Sequence, residues 1–170
     1  GMEKIDIKVT VKDGNLIVVD SVASRVHRFT PEGKWLSEIG LGPGNGQGQF
    51  NMPRDARVHR SGEIFVSDAN NYRVQVFSPE GRFLRLFGSK GTAPGQLLRG
   101  HGLEFSPDHS RLYVVDVDNN RISVFEPSGK YLTSFGKKGE GPGDFRDAHG
   151  LGVAPNGDVQ CLTKWVPEPG

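Results

Sequence analysis

Sulfur is nearly absent from this chain of 170 residues: Cys161 is its single cysteine. That excludes an internal disulfide and any paired-cysteine zinc or redox site. Long apolar runs are missing too. "LIVV" at Leu16 to Val19 is among the longest aliphatic stretches, far short of the roughly 18 residues a membrane helix needs. Charge of one sign is also lacking, since 21 Lys and Arg against 20 Asp and Glu leave +1. No global field therefore draws the protein to nucleic acid or anionic lipid. No sustained 3.6-residue apolar stripe occurs, and 24 Gly with 11 Pro argue against helices of any length. No signal peptide is legible, and the opening Gly1-Met2 looks like a tag remnant. The expectation is a soluble chain without a membrane partner, its compartment unfixed.

What is present is a repeat. "VVDSVASRVHRF", "VSDANNYRVQVF" and "VVDVDNNRISVF" place Asp20, Asp68 and Asp116 at an equal step of 48 residues, a period that belongs to solenoids, propellers and arrays. Arg25, Arg73 and Arg121 always follow five residues later. Within each unit apolar residues alternate by two, as in Arg73-Val74-Gln75-Val76-Phe77, and Pro-x-Gly or Asn-Gly signals separate the runs. That is strand and turn chemistry. Each unit reads as four antiparallel strands, and the chain as all-β.

Asn71-Tyr72-Arg73-Val74 and Asn119-Asn120-Arg121-Ile122, each followed by Phe-x-Pro-x-Gly (Phe77 to Gly81, Phe125 to Gly129), resemble the signature of the NHL-repeat β-propellers. The resemblance implies a β-propeller of four-stranded antiparallel blades. Blades are expected over residues 5–49, 50–96 and 97–144, with a half blade over 145–166. About three and a half blades make an incomplete ring, since propellers have about 4–8. Open edges are a hazard, so a homo-oligomer formed through open blade edges is expected, or else a fragment of a longer chain.

The start of each innermost strand is where channel ligands would bind. Laid in register, the units align Asp55, His101 and His149, and imidazole and carboxylate are zinc ligand types. His101-Gly102-Leu103 and His149-Gly150-Leu151 also look like the "PHG"-type motifs of the peptidylamidoglycolate lyases, six-bladed relatives with a catalytic zinc. That resemblance implies zinc on His101 and His149, with Asp55 as a third ligand, in a metal-dependent lyase whose other catalytic groups are unplaced here. Arg54, Arg57 and Arg60 form a cationic cluster that an RNA-binding face could use, although no aromatic is interleaved for base stacking. The recurring Asp20, Asp68, Asp116, Arg25, Arg73 and Arg121 are structural, because a residue every blade requires serves the blade. Trp35 and Trp165 are expected to pack between blades, and Cys161 to be a buried inert thiol. The resulting expectation is a non-catalytic binding or scaffold module with a protein or peptide ligand and no cofactor, with the zinc lyase and then the RNA-binding face as alternatives.

Overall fold

A computed structural model of the chain describes residues 7–146 and 148–163, leaving the side chains of His149 and Cys161–Thr163 outside the description together with Trp165. As the alternation predicts, it is built almost entirely of strands. Blade 1 comprises β1 (Ile7–Lys12), β2 (Asn15–Asp20), β3 (Arg25–Phe29) and β4 (Trp35–Ile39). Blade 2 comprises β5 (Pro53–Val58), β6 (Ile64–Asp68), β7 (Arg73–Phe77) and β8 (Phe83–Phe87). Blade 3 comprises β9 (Gly100–Phe105), β10 (Leu112–Asp116), β11 (Arg121–Phe125) and β12 (Tyr131–Phe135). Then come β13 (Ala148–Val153) and β14 (Val159–Thr163), which pair only with each other. All pairings are antiparallel and each sheet follows chain order.

The innermost strands β1, β5, β9 and β13 run beside one another, and the sheets stack face to face. We call the side of a blade that meets the preceding blade its leading face, and the other its trailing face. Ile17, Val19, Val26 and Ile39 on the trailing face of blade 1 pack with Ala56, Ile64, Val66 and Phe77 on the leading face of blade 2. Phe65, Val74, Val76 and Phe87 do the same with Leu103, Leu112, Val114 and Phe125. A third core joins Tyr113, Val115, Ile122 and Val124 to Ala148 and Leu151. A middle blade is therefore apolar on both sides, which is why β6 and β10 are buried at every residue. Burying one such side chain contributes roughly 1.5–3 kcal/mol.

Tight turns hold the strands in sequence. After β6 and β10 the chain makes one 3-10 turn, Ala69–Asn71 and Val117–Asn119. Tyr72 (φ 58°) and Asn120 (φ 51°) then adopt the left-handed conformation and send the chain back. Arginines tie neighbouring blades: Arg28 donates to the Pro79 carbonyl at 2.6 Å and Arg85 to the Pro127 carbonyl at 2.7 Å. Arg85 also pairs with Glu63.

The β5–β6 and β9–β10 turns meet through two histidines. The Arg60 backbone N–H donates to His109 Nδ1 at 3.0 Å, and the Ser61 N–H to His59 Nδ1 at 3.1 Å. His59 Nε2 then donates to the His109 carbonyl at 3.0 Å. The His109 ring stacks on Phe105, centroids 5.2 Å apart. Both imidazoles accept a backbone N–H, so the contact requires them neutral. Burial, helped by His59 and Arg60 and opposed by Glu104 and Asp108, holds His109 below the usual histidine range. A histidine with a lowered folded pKa costs stability as pH falls, because the unfolded chain takes up the proton first; the loss begins near the ordinary value of about 6.5 and ends below the folded one. His109→Ala should therefore lose less of its urea midpoint than the parent chain between about pH 7.5 and about pH 5. Equal losses in the two proteins would refute this role.

Candidate functional site

The recurring aspartates are hubs. Asp68 is fully buried. Its Oδ1 accepts the Asn51 backbone N–H at 2.8 Å. Its Oδ2 accepts from Asn71 Nδ2 (2.9 Å), Arg73 Nε (2.8 Å) and Gln75 Nε2 (3.0 Å). Asp116, equally buried, accepts the Leu98 and Arg99 N–H groups at 3.0 and 3.2 Å, Asn119 Nδ2 at 2.7 Å and Arg121 Nε at 3.3 Å. The same arginines reach back to the connector that leads into their blade. Arg73 donates to the carbonyls of Asn45, Gly46 and Gln49, and Arg121 to those of Thr92, Ala93 and Gln96. Asn71 and Asn119 hold Gly44 and Gly91 in the same way. Burial pushes Asp68 above its ordinary value, while its N–H donors and Arg73 pull the other way. The brace therefore joins a turn to an inter-blade connector, and not to a turn alone.

Blade 1 departs from this expectation. Among the described residues Asp20 accepts only the Ala23 N–H, at 3.0 Å, and Arg25 pairs with Glu38 on β4 at 2.5 Å. Among the described residues no connector precedes this blade, so its arginine lacks the carbonyls that orient Arg73 and Arg121.

Strand register corrects the alignment of the inner-strand residues. Val58 pairs with Ile64, Phe105 with Leu112, and Val153 with Val159, each at the start of the second strand. Stepping back along each strand sets Asp55 level with Gly102 and Gly150. Arg54 falls level with His101 and His149. The alignment of Asp55 with the histidines is thus one residue out, and a slip of one exchanges the two faces of a strand. In all three inner strands this place is a β-bulge, between Pro53 and Asp55, opposite Val114 to Asp116, and between Ala148 and Gly150. Bulges re-aim a side chain and are frequent beside functional sites. Arg54 was thus the missed equivalent of the two histidines, four residues after Phe50 as they are after Leu97 and Phe145.

Asp55 is 2% exposed and bonded on both oxygens. Oδ1 accepts from the Ala56 N–H at 2.9 Å and Arg57 at 3.0 Å; Oδ2 accepts the Leu103 N–H of the next blade at 2.9 Å. Burial raises its pKa above the ordinary value, with Arg57 the chief opposing influence. As a zinc ligand Asp55 does not fit, because a metal would have to displace these partners. His101 is 9% exposed, and its carbonyl accepts the Ser67 hydroxyl at 2.6 Å. Among the described residues no three His, Cys, Asp or Glu are grouped to hold a metal ion.

The arginine cluster is split. Arg57 pairs with Asp55 and, at 3.7 Å, with Glu104; Arg60 lies in the β5–β6 turn and donates to the Pro107 carbonyl at 3.3 Å; Arg54 sits at the bulge. Trp35 does not pack between blades. It occupies the place of Phe83 and Tyr131, yet it is 54% exposed and donates from Nε1 to His27 Nδ1 at 3.2 Å. Among the described residues no blade covers it.

Four-stranded antiparallel sheets stacked face to face, with their first strands innermost, define a segment of a β-propeller. Residues 50–77 match the family model described as NHL repeat, and residues 101–158 match that of a 6-bladed beta-propeller. The chain is a β-propeller segment with an NHL repeat over residues 50–77, and its ring is not closed. No curated protein matches it. Among solved structures it resembles a catalytically inactive His-to-Ala variant of virginiamycin B lyase from Staphylococcus aureus with quinupristin, at 16% identity and TM-score 0.64, over 99% of this chain and 59% of that one. It also resembles hydrazine synthase from Kuenenia stuttgartiensis, at 15% identity and TM-score 0.67, over 98% and 44%. A functionally unknown protein from Desulfotomaculum acetoxidans is alike at 17% identity and TM-score 0.66, over 94% and 49%. The likeness is one of fold, and the chain spans about half the length of these structures. No helix among the described residues is long and apolar enough to cross a membrane.

The hub geometry ranks the three repeated aspartates. Asp116→Ala should cost about 3 kcal/mol in urea unfolding, because it strands buried donors and a cation. Asp20→Ala should cost about 1 kcal/mol or less, having one backbone partner to lose. Equal costs would refute the ranking.

Proposed function

We propose that the chain is a non-catalytic binding and scaffold module that self-associates at its open leading face. One observation carries the reading: among the described residues nothing packs on the leading face of blade 1, where aliphatic side chains stand exposed beside His27 and Glu38. Leu16 pairs with Phe29 as Ile64 pairs with Phe77 and Leu112 with Phe125, and these later residues are core. On blade 1 the same face leaves Val9 50% and Val11 63% exposed. Exposed contiguous apolar surface of this kind marks association sites, and a second copy is the most available partner. The polar residues of the inner strands support binding over turnover. Asp55 and Arg57 brace neighbouring blades, so no assembled set of nucleophile, base and acid is in evidence among the described residues. Sedimentation over a concentration series is the test: species heavier than 18.5 kDa are expected at roughly 50 µM by mass action, and Val9→Asp is expected to return the monomer. A chain monomeric throughout would refute self-association.

The zinc-dependent lyase stands as a second reading because His101 and His149 share one register position. It would need ligands other than Asp55. Protein purified without chelator is expected to hold substoichiometric zinc that is unchanged in the His101→Ala/His149→Ala double variant. Stoichiometric zinc lost in that variant would favour the lyase instead. RNA binding has less support, since Arg57 is neutralised by two carboxylates.

A further inference from the structure

The junction between blades 2 and 3 is plugged at its inner hairpins by the His59 and His109 imidazoles, whereas the equivalent place between blade 3 and the β13–β14 pair is open. The three hairpins close alike. The N–H groups of His59, Ser106 and Ala154 donate to the carbonyls of Glu63, Arg111 and Asp158, and those of Gly62, His109 and Gly157 donate back to the carbonyls of His59, Ser106 and Ala154. Ser106 therefore stands where blade 2 has His59, and Gly157 where blade 3 has His109, so both imidazoles are replaced by small residues. A Cβ added to Gly157 would meet nothing within 4 Å. The result is a solvent-open cleft of about 350 Å³, walled by the β9–β10 hairpin and Tyr113 on one side and by Pro155, Asn156 and Gly157 on the other. That volume lies at the lower end of the range for small-molecule sites.

The charged groups that line the cleft are of both signs and are not spent on each other. Asp108 Oδ1 accepts all the bonds that its own turn supplies, from the Ser106 hydroxyl at 2.7 Å, the Ser110 N–H at 3.0 Å and the Ser110 hydroxyl at 2.7 Å. The Ser110 and Ser106 donors hold this carboxyl below the usual carboxylate range, and they leave Oδ2 without a donor among the described residues. The Arg111 backbone is fixed to Ser106 at both its N–H and its carbonyl, while its guanidinium pairs with no carboxylate among the described residues. Asn156, by contrast, is taken up by Asp158. We propose that the cleft binds a free α-amino acid, its carboxylate on Arg111 and its ammonium on Asp108 Oδ2. A simple carboxylate or amine satisfies only one of the two groups. The inference rests on the reading of the chain as a binding module but not on self-association, since blade 1 contributes nothing to the cleft.

The test follows the backbone amide signals of Ser110, Arg111 and Gly157 by NMR while the standard amino acids are added singly to the full chain at about 10 mM. At least one is expected to shift all of them, with a Kd on the order of 1 mM. Its N-acetyl and carboxamide derivatives, each lacking one charge, should bind about tenfold or more weakly. Asp108→Asn keeps the Oδ1 acceptor and turns Oδ2 into a donor, and Arg111→Gln removes the cation; each should weaken binding by about tenfold or more. Both positions are exposed, and the rest of the amide spectrum reports that the variants stay folded. No shift with any amino acid, equal binding of the derivatives, or binding that survives either substitution would overturn the proposal. Sedimentation keeps the two readings apart: an amino acid bound by a chain that stays monomeric refutes self-association alone, and an associating chain without the shifts refutes the cleft alone.

Discussion

Everything in this structure depends on a carboxylate buried where the second strand of a blade ends. A lone anion there would be costly, since burial of an unpaired charge can exceed what attraction returns. Asp68 and Asp116 escape that cost because both oxygens of each meet donors: backbone N–H from the connector, amide from the asparagine, guanidinium from the arginine. The donors come from two places far apart in the chain. Satisfying the carboxylate therefore fixes where the connector runs, and the connector fixes where the next innermost strand begins. Apolar faces supply most of the cohesion between blades, but they are not directional. The hubs supply the register.

From that register follows the geometry of the inner strands. Each emerges from its connector, bulges once, and then pairs regularly. The bulge places Arg54, His101 and His149 at one level in successive blades, while Asp55 points to the other side and bonds to the backbone of β9. The residue with the most conspicuous chemistry is thus an element of blade packing. The bulge residues are the ones that the fold itself sets in a row.

The period of 48, the Phe-x-Pro-x-Gly turns and the alternating strands were legible in the sequence because each is a local pattern repeated in register. The roles of Asp68, Asp116, Arg73 and Arg121 were legible for the same reason. Three features were not. Arg25 looks like Arg73 in sequence, but its partner depends on a connector that the residue itself does not encode. The alignment of Asp55 with the histidines failed by one residue, because which residue of a bulged strand lies level with its neighbours is set by the pairing partner. Trp35 has the identity of a packing residue, and whether it packs is decided by a neighbouring blade. Local chemistry was readable; relations set by a second element were not.

The two ends of the segment differ in kind, and the difference bears on how copies could meet. Blade 1 leads with Val9, Val11 and Trp35, an apolar face large enough to need cover. On the trailing side of the last pair, Gln160 stands exposed where blades 1 to 3 place Ile17, Phe65 and Tyr113. A head-to-tail contact would set an amide with no assured partner against aliphatic side chains, and a buried polar group without a hydrogen bond costs about 1–3 kcal/mol. Two leading faces brought together about a two-fold axis, the commonest symmetry of soluble oligomers, would bury Val9 and Val11 on both sides, with His27 and Glu38 of the same face needing partners across the axis. The proposed self-association at the leading face would thus set aliphatic against aliphatic surface, which a head-to-tail contact would not.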